Sequence, residues 1–71
     1  MEFKDRPVQH KRYGQGKILR LENEALTILF QQYGTRTFRY PKVFEEDLST
    51  SDNELAVVVE EALLRAKQSN P

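Results

Sequence analysis

The side chains that could support catalysis are few and scattered along this 71-residue chain. The single histidine, His10, has no cysteine and no second histidine with which to share a metal ion, and a structural zinc site needs about four ligands. The acidic residues occur as runs, residues 45–47 and 60–61, that are typical of solvated surfaces. No nucleophile can be matched with a base and an orienting group. We therefore predict that the chain is not an enzyme and binds no metal or cofactor, and that His10 forms hydrogen bonds at a strand end.

A glycine pair, Gly14 and Gly16, could indicate phosphate binding, but the surrounding pattern is wrong for it. A dinucleotide-binding loop needs a third glycine, and the chain has Leu19 at that position. Because glycine reaches positive φ without a Cβ clash, the pair instead predicts a sharp reversal between two strands. We expect a loop over residues 11–16 and a positive φ at one or both of these glycines.

Basic and aromatic residues provide the remaining binding chemistry. Residues 1–42 contain nine basic and four acidic residues, a net charge of +5, whereas residues 43–71 contain two and seven, a net charge of −5. Basic side chains neutralise phosphates and aromatic rings stack on bases, so nucleic acid is one candidate ligand. The zero overall charge weighs against a dedicated nucleic-acid-binding protein. The candidate nucleic-acid-binding residues are Lys11, Arg12, Lys17, Arg36 and Arg39.

Alternating apolar and polar residues predict a small barrel of about five short antiparallel strands, four of them at residues 8–10, 17–22, 25–30 and 36–40. In the last of these, Arg36, Phe38 and Tyr40 share one face, opposite Thr37 and Arg39. After Pro41 we expect a short helical turn that brings Phe44 and Leu48 onto one side and closes the barrel. The predicted core comprises Val8, Ile18, Leu26, Ile28, Phe30, Phe38, Phe44 and Leu48.

The C-terminal part of the chain has the pattern of an amphipathic helix over residues 54–67. Its apolar stripe comprises Leu55, Val58, Val59, Ala62, Leu63 and Ala66. Ser51 with Glu54 fits a capping box at the start. We expect the stripe to pack on the outer face of the barrel at Leu19 and Leu29, which favours a monomer over a homodimer. Val57 and Leu64 fall on the opposite helix face, where they are candidate protein-binding residues.

The chain is short enough for a single domain. We predict a flexible N-terminus over residues 1–6, a barrel over 7–48, a linker over 49–53, the helix over 54–67 and a tail over 68–71. There is no cysteine and no apolar stretch of about 20 residues. We therefore expect a cytoplasmic location and no membrane partner.

Eleven positions over residues 7–40 carry a family resemblance. The pattern V-x-H-x-x-Y-G-x-G-x-I, then an apolar strand, then Y-G-x-R-x-F, resembles the Tudor-like (SH3-like) module at the C-terminus of UvrD/PcrA-type bacterial DNA helicases. Arg36 stands where that family usually has lysine. The segment over residues 40–44 and the helix after it are not part of the family pattern. The matching positions are Val8, His10, Tyr13, Gly14, Gly16, Ile18, Ile28, Phe30, Gly34, Arg36 and Phe38.

The resemblance implies a five-stranded, strongly bent barrel that binds a protein of bacterial nucleic-acid machinery, such as RNA polymerase. For this function the candidate protein-binding residues are Tyr13 and Tyr33 together with the helix pair named above. Tudor modules also hold methylated side chains in aromatic cages, for which Tyr13, Tyr33, Phe38 and Tyr40 are available. Nucleic-acid binding and a structural role, with the helix as a dimerisation element, remain the alternatives.

Overall fold

The structure, a computed structural model, describes residues 2–68. Its five strands form one antiparallel sheet in the order β4-β3-β2-β1-β5, and the sheet curls into a half-barrel. This confirms the predicted fold class, a mainly β barrel-like domain with a C-terminal helix. In chain order the elements are β1 (Pro7–His10), β2 (Gly14–Glu22), β3 (Ala25–Phe30), β4 (Gly34–Arg39), α1 (Val43–Glu46), β5 (Leu48–Ser49) and α2 (Asn53–Gln68).

The core lies on the concave inner face of the sheet. Cross-strand pairs such as Ile18 with Ile28 and Leu26 with Phe38 point to this face because paired residues share a side in an antiparallel sheet. Phe38 and Phe44 were predicted core residues, but both are only partly buried and pack against the core from its margin. The buried hydrophobic residues are Val8, Ile18, Leu26, Ile28, Phe30, Leu48, Leu55 and Val59.

The first hairpin is tighter than the sequence predicts. The loop expected over residues 11–16 has only three residues, because β2 already begins at Gly14, which pairs with His10. Gly14 has a φ of 80°, as expected for the residue that closes a three-residue hairpin loop. Gly16 serves a different purpose. A Cβ atom there would lie 2.8 Å from the Leu29 carbonyl oxygen, so glycine allows β2 to approach β3 closely.

The segment between β4 and α2 also differs from the prediction. The expected helical turn is present as α1, and Phe44 lies in it. Leu48, predicted to share one side of that turn, instead belongs to β5 and pairs with His10 of β1. Its side chain is buried in the core. The fifth strand is thus supplied by the residues directly after α1, because the chain must return to β1 to complete the sheet.

Asp52, rather than the predicted Ser51, caps α2. The Asp52 carboxylate accepts a hydrogen bond from the Leu55 amide N–H at 2.9 Å, which satisfies one of the free donors at the helix start. The Arg6 guanidinium donates to Asp52 at 3.0 and 3.1 Å and also to Glu54. The predicted capping box is therefore wrong, since Glu54 pairs with Arg6 and not with the Ser51 backbone.

The N-terminal segment predicted as flexible makes specific contacts with the sheet. The Asp5 amide donates to the Ile18 carbonyl at 2.7 Å, and the Ile18 amide donates to the Arg6 carbonyl at 3.0 Å. The Phe3 ring packs edge-on against Tyr40, with 5.4 Å between ring centroids. Met1 and the predicted tail from residue 69 onward lie outside the described residues.

Helix α2 packs on a different part of the barrel from the one predicted. Leu55 and Val59 enter the core, and Leu63 packs against its margin. Leu29, on the outer face where the helix was expected, remains 37% exposed. The linker explains the difference, because Thr50 donates to the Pro7 carbonyl at 2.6 Å and so starts the helix beside the beginning of β1. The first half of the helix therefore completes the core with Leu55 and Val59. Among residues 2–68, no helix is long and apolar enough to cross a membrane.

Candidate functional site

Two hairpin loops meet at the end of the barrel away from the start of α2, which we call the loop end. Residues 11–13 connect β1 to β2, and residues 31–33 connect β3 to β4. Each loop ends in a tyrosine, and the Tyr13 and Tyr33 rings meet edge to face with 5.3 Å between centroids. Tyr33 is 49% exposed, whereas Tyr13 is half-buried. The loop end therefore presents an aromatic surface to solvent.

His10 supports this surface from below. Its Nδ1 atom accepts hydrogen bonds from the backbone amides of Arg12 and Tyr13, at 3.0 and 3.3 Å. Its ring stacks on Phe38 at 5.2 Å and contacts Tyr13 at 4.7 Å between centroids. The buried His10 thus shapes the loop and holds the Tyr13 ring, which agrees with the predicted hydrogen-bonding role at a strand end.

Arg36 adds a positive charge to the same surface. Its guanidinium carbon lies 5.3 Å from the centroid of the Tyr13 ring, within the range of a cation–π contact. Arg36 pairs with Ile28 and so lies on the inner side of β4. No acidic group among the described residues forms an ion pair with it. Its five N–H donors therefore remain available to a ligand. We name Tyr13, Tyr33 and Arg36 the aromatic–arginine site.

The five basic residues predicted to bind nucleic acid do not form one surface. Lys11 and Arg12 are exposed in the loop beside Tyr13, on the same end as Arg36. Lys17 and Arg39 pair with Leu29 and Ala25 and lie on the outer face of the sheet. Lys17 also forms an ion pair of 3.7 Å with Asp5. The structure therefore brings together three of the five predicted cations and separates the other two.

The loop end also carries negative charge close to its cations. The Lys11 amide donates to the Asp47 carbonyl at 2.9 Å, so Asp47, the residue after α1, lies beside the first loop. A groove of about 210 Å³ is lined by Lys11 together with Glu46 and Asp47. The basic side chains at this end therefore do not form a continuous positive surface, because Glu46 and Asp47 lie beside Lys11.

The four rings available for a methyl-lysine cage are divided between two places. Tyr13, Tyr33 and Phe38 lie at the loop end, but Tyr40 packs against Phe3 and Phe44 instead. Burial raises the pKa of the Tyr40 phenol. Arg36 of the chain itself already lies over the Tyr13 face that a methylated side chain would use.

Val57 and Leu64 are exposed on α2, as predicted, with exposed fractions of 57% and 53%. They lie seven residues apart on the helix face opposite Leu55 and Val59. These two side chains form a narrow apolar stripe, and nothing in the described part of the chain covers it.

The contacts between the start of α2 and Arg6, the residue before β1, also perturb two charged groups. The hydrogen bond from the Leu55 amide, followed by that from Arg6, holds the pKa of Asp52 below its usual value. The same contacts raise the pKa of Arg6, with the hydrogen bond to Asp52 as the main cause. Both groups are therefore charged at neutral pH, and they act as a structural tie rather than as a site for proton transfer.

Among residues 2–68, no three histidine, aspartate or glutamate side chains come together in a way that could hold a metal ion. Comparison with known protein families, with characterised proteins and with solved structures yields no match. The sequence pattern predicted all three members of the aromatic–arginine site as binding residues, but it did not place Arg36 on Tyr13, because that contact joins the first loop to β4, which is far from it in the chain.

Proposed function

We propose that this chain is a non-catalytic binding module whose aromatic–arginine site docks a protein partner. The observation that carries the proposal is the half-exposed Tyr33 ring packed on Tyr13, beside an Arg36 guanidinium without an ion-pair partner among the described residues. Tyrosine and arginine are the residue types that most often dominate binding energy at protein interfaces. His10 and Phe38 contact the Tyr13 ring, so little entropy of that side chain is lost when a partner binds.

The partner class comes from the resemblance to the helicase module. That resemblance favours a component of bacterial nucleic-acid machinery, and RNA polymerase is the partner we propose to test first. A protein partner is favoured over nucleic acid by the distribution of charge. Lys17 and Arg39 lie on a different face from Arg36, and Glu46 and Asp47 lie beside Lys11.

Binding of the full chain to purified bacterial core RNA polymerase, measured by biolayer interferometry, tests the proposal. We expect Tyr33→Ala and Arg36→Ala each to weaken binding by about thirtyfold or more, since hot-spot truncations cost about 2 kcal/mol or more. Leu64→Ala is the matched control because Leu64 is comparably exposed on another surface. Loss of binding in Leu64→Ala alone would move the interface to α2. No binding by the wild-type chain would exclude this partner.

Nucleic-acid binding is the second candidate function. Lys11 and Arg12 flank Tyr13 in one loop, an arrangement that suits phosphate contact next to base stacking. For single strands, the logarithm of affinity would then fall with the logarithm of salt concentration by about 0.7 per phosphate contact. Titration of a labelled single-stranded oligonucleotide at low salt decides between the two candidates. Binding that disappears in Arg12→Ala and follows this salt dependence would favour nucleic acid.

A further inference from the structure

Strand β4 is an uncovered edge of the sheet. It is the first strand in the order β4-β3-β2-β1-β5 and, among the described residues, it pairs only with β3. Five of its six residues are exposed, and the sixth, Phe38, is half-buried. An edge of this kind carries a row of unpaired backbone groups that can accept another strand.

The register shows which backbone groups are free. The Tyr40 amide donates to the Glu24 carbonyl at 2.8 Å, so these opposed residues form a hydrogen-bonded pair at the end of the ladder. Hydrogen-bonded and non-hydrogen-bonded pairs alternate in an antiparallel ladder. Gly34, Arg36 and Phe38 therefore bond to β3, and the other residues turn their N–H and C=O groups toward the free edge. Those residues are Thr35, Thr37 and Arg39.

The charges on β4 select the kind of strand that can pair with it. Arg36 lies on the inner side and Arg39 on the outer side, and neither forms an ion pair with a described residue. A second copy of β4 would bring two arginines of each chain together, and like charges on opposed strands are destabilising. The same two arginines would instead attract a strand that carries carboxylates. Because the two arginines are three residues apart, carboxylates three residues apart would reach one on each side.

We propose that the β4 edge accepts an extended acidic segment of the protein partner as a sixth strand, with carboxylates at positions i and i+3 beside Arg36 and Arg39. The proposal rests on the protein-binding function above, since Arg36 belongs to the aromatic–arginine site. It adds the chemistry of the partner and the mode of binding. Glu24 lines a groove of about 240 Å³ with Thr37 and Arg39, so the carboxylate beside Arg36 contributes more to affinity than the one beside Arg39.

Fluorescence anisotropy with the full chain tests the proposal. The probe is a fluorescein-labelled ten-residue peptide of threonine and valine that carries glutamates at i and i+3. The control peptide has the same composition but glutamates at i and i+2, which lie on one face of a strand. We expect the first peptide to bind about tenfold more tightly. N-methylation along its backbone should weaken binding by about threefold to tenfold at alternate residues only, because alternate amides face β4.

Variants of the chain provide a second, independent readout. Thr37→Pro removes a donor at the free edge, a position where proline is tolerated, whereas Thr37→Val keeps that donor. We expect the peptide to bind Thr37→Val as it binds the wild type and to bind Thr37→Pro at least threefold more weakly. Arg39→Glu should reverse the preference of the chain for the peptide residue opposite position 39, from glutamate to lysine. Circular dichroism checks that each variant is folded.

The outcomes separate this proposal from the proposed function. Equal binding of the two peptides, or N-methylation effects without alternation, would overturn strand addition, and so would no peptide binding at several hundred micromolar. If polymerase binding still depends on Tyr33 in that case, the binding function stands without the added strand. Alternating N-methylation effects without polymerase binding would support the added strand and exclude that partner.

Discussion

The two glycines of the first hairpin allow a test that separates two physical causes. Gly14 has a φ of 80° and open space around a hypothetical Cβ atom. Gly16 has an ordinary φ, but its Cβ atom would lie 2.8 Å from the Leu29 carbonyl oxygen, 2.8 Å from the Phe30 Cδ1 atom and 3.0 Å from the Ile28 Cγ2 atom. We expect alanine to destabilise both positions, through backbone strain at Gly14 and through steric overlap at Gly16.

The expected losses of stability follow from the surroundings of the two glycines. Alanine in a left-handed conformation costs about 1–2 kcal/mol, and the lower entropy of the unfolded chain offsets about 0.4–1 kcal/mol of this, so we expect a net loss of about 1 kcal/mol at Gly14. An extra methyl group in a packed interior costs about 1–3 kcal/mol. The Gly16 variant should approach the upper value, because one of the overlapping atoms belongs to the backbone and two to buried core side chains. In a domain of this size Tm falls by about 4–8 °C per kcal/mol.

Asparagine distinguishes the two causes, since it tolerates positive φ better than alanine does. Gly14→Asn should be more stable than Gly14→Ala, whereas Gly16→Asn should be less stable than Gly16→Ala. Gly34, with a φ of 74° and open space, is a second position of the Gly14 type and provides the matched control. Urea denaturation and thermal melts, both followed by circular dichroism, measure the six variants, which are alanine and asparagine at Gly14, Gly16 and Gly34. A Gly16→Ala protein that melts within one degree of the wild type would refute the close approach of β2 to β3.

Three further predictions concern stability. Phe30→Ala should cost about 3–5 kcal/mol because the ring is 1% exposed in the core, and a near-normal melting temperature would contradict its burial. The pKa of Asp52 is lowered in the folded state, so its contribution to stability is present above about pH 4 and is lost as the pH falls through the folded-state pKa. On acid titration, the Asp52→Asn variant should therefore lose less stability than the wild type. Val57→Ser and Leu64→Ser should each change the free energy of unfolding by less than about 0.5 kcal/mol, since both side chains are exposed. A larger loss of stability in thermal melts would show that these side chains are covered.

The local pattern of residues predicted most of the secondary structure and the inner face of the sheet. Alternation placed Ile18, Leu26, Ile28 and Phe30 in one core because side chains on a strand point to alternate faces. The same alternation separated Arg36 from Arg39, as the structure has them. The helix stripe was also correct in its buried members, Leu55 and Val59, because helical periodicity is a property of the sequence.

The tertiary structure decided which of these surfaces meet. The closure of the sheet brought Tyr13, Tyr33 and Arg36 together from three elements, and no local spacing encodes a contact between the first loop and β4. The tertiary structure also decided where α2 packs. Leu55 and Val59 of the helix are buried in the core, whereas Leu29 on the outer face has the polar cross-strand neighbours Lys17 and Thr35 and stays partly exposed.

The same distinction applies to polar contacts. The sequence pattern predicted Ser51 as the cap of α2, but Asp52 is also of a residue type that suits the start of a helix, and it is the residue that caps α2 in the structure. Only the folded chain brings Arg6 next to Asp52 from a position 46 residues away, which adds an ion pair to the cap. Periodicity and residue type therefore determined the strands, the helix and their buried faces. The contacts between elements distant in the chain arose from sheet closure, because they depend on which apolar surfaces can be buried together.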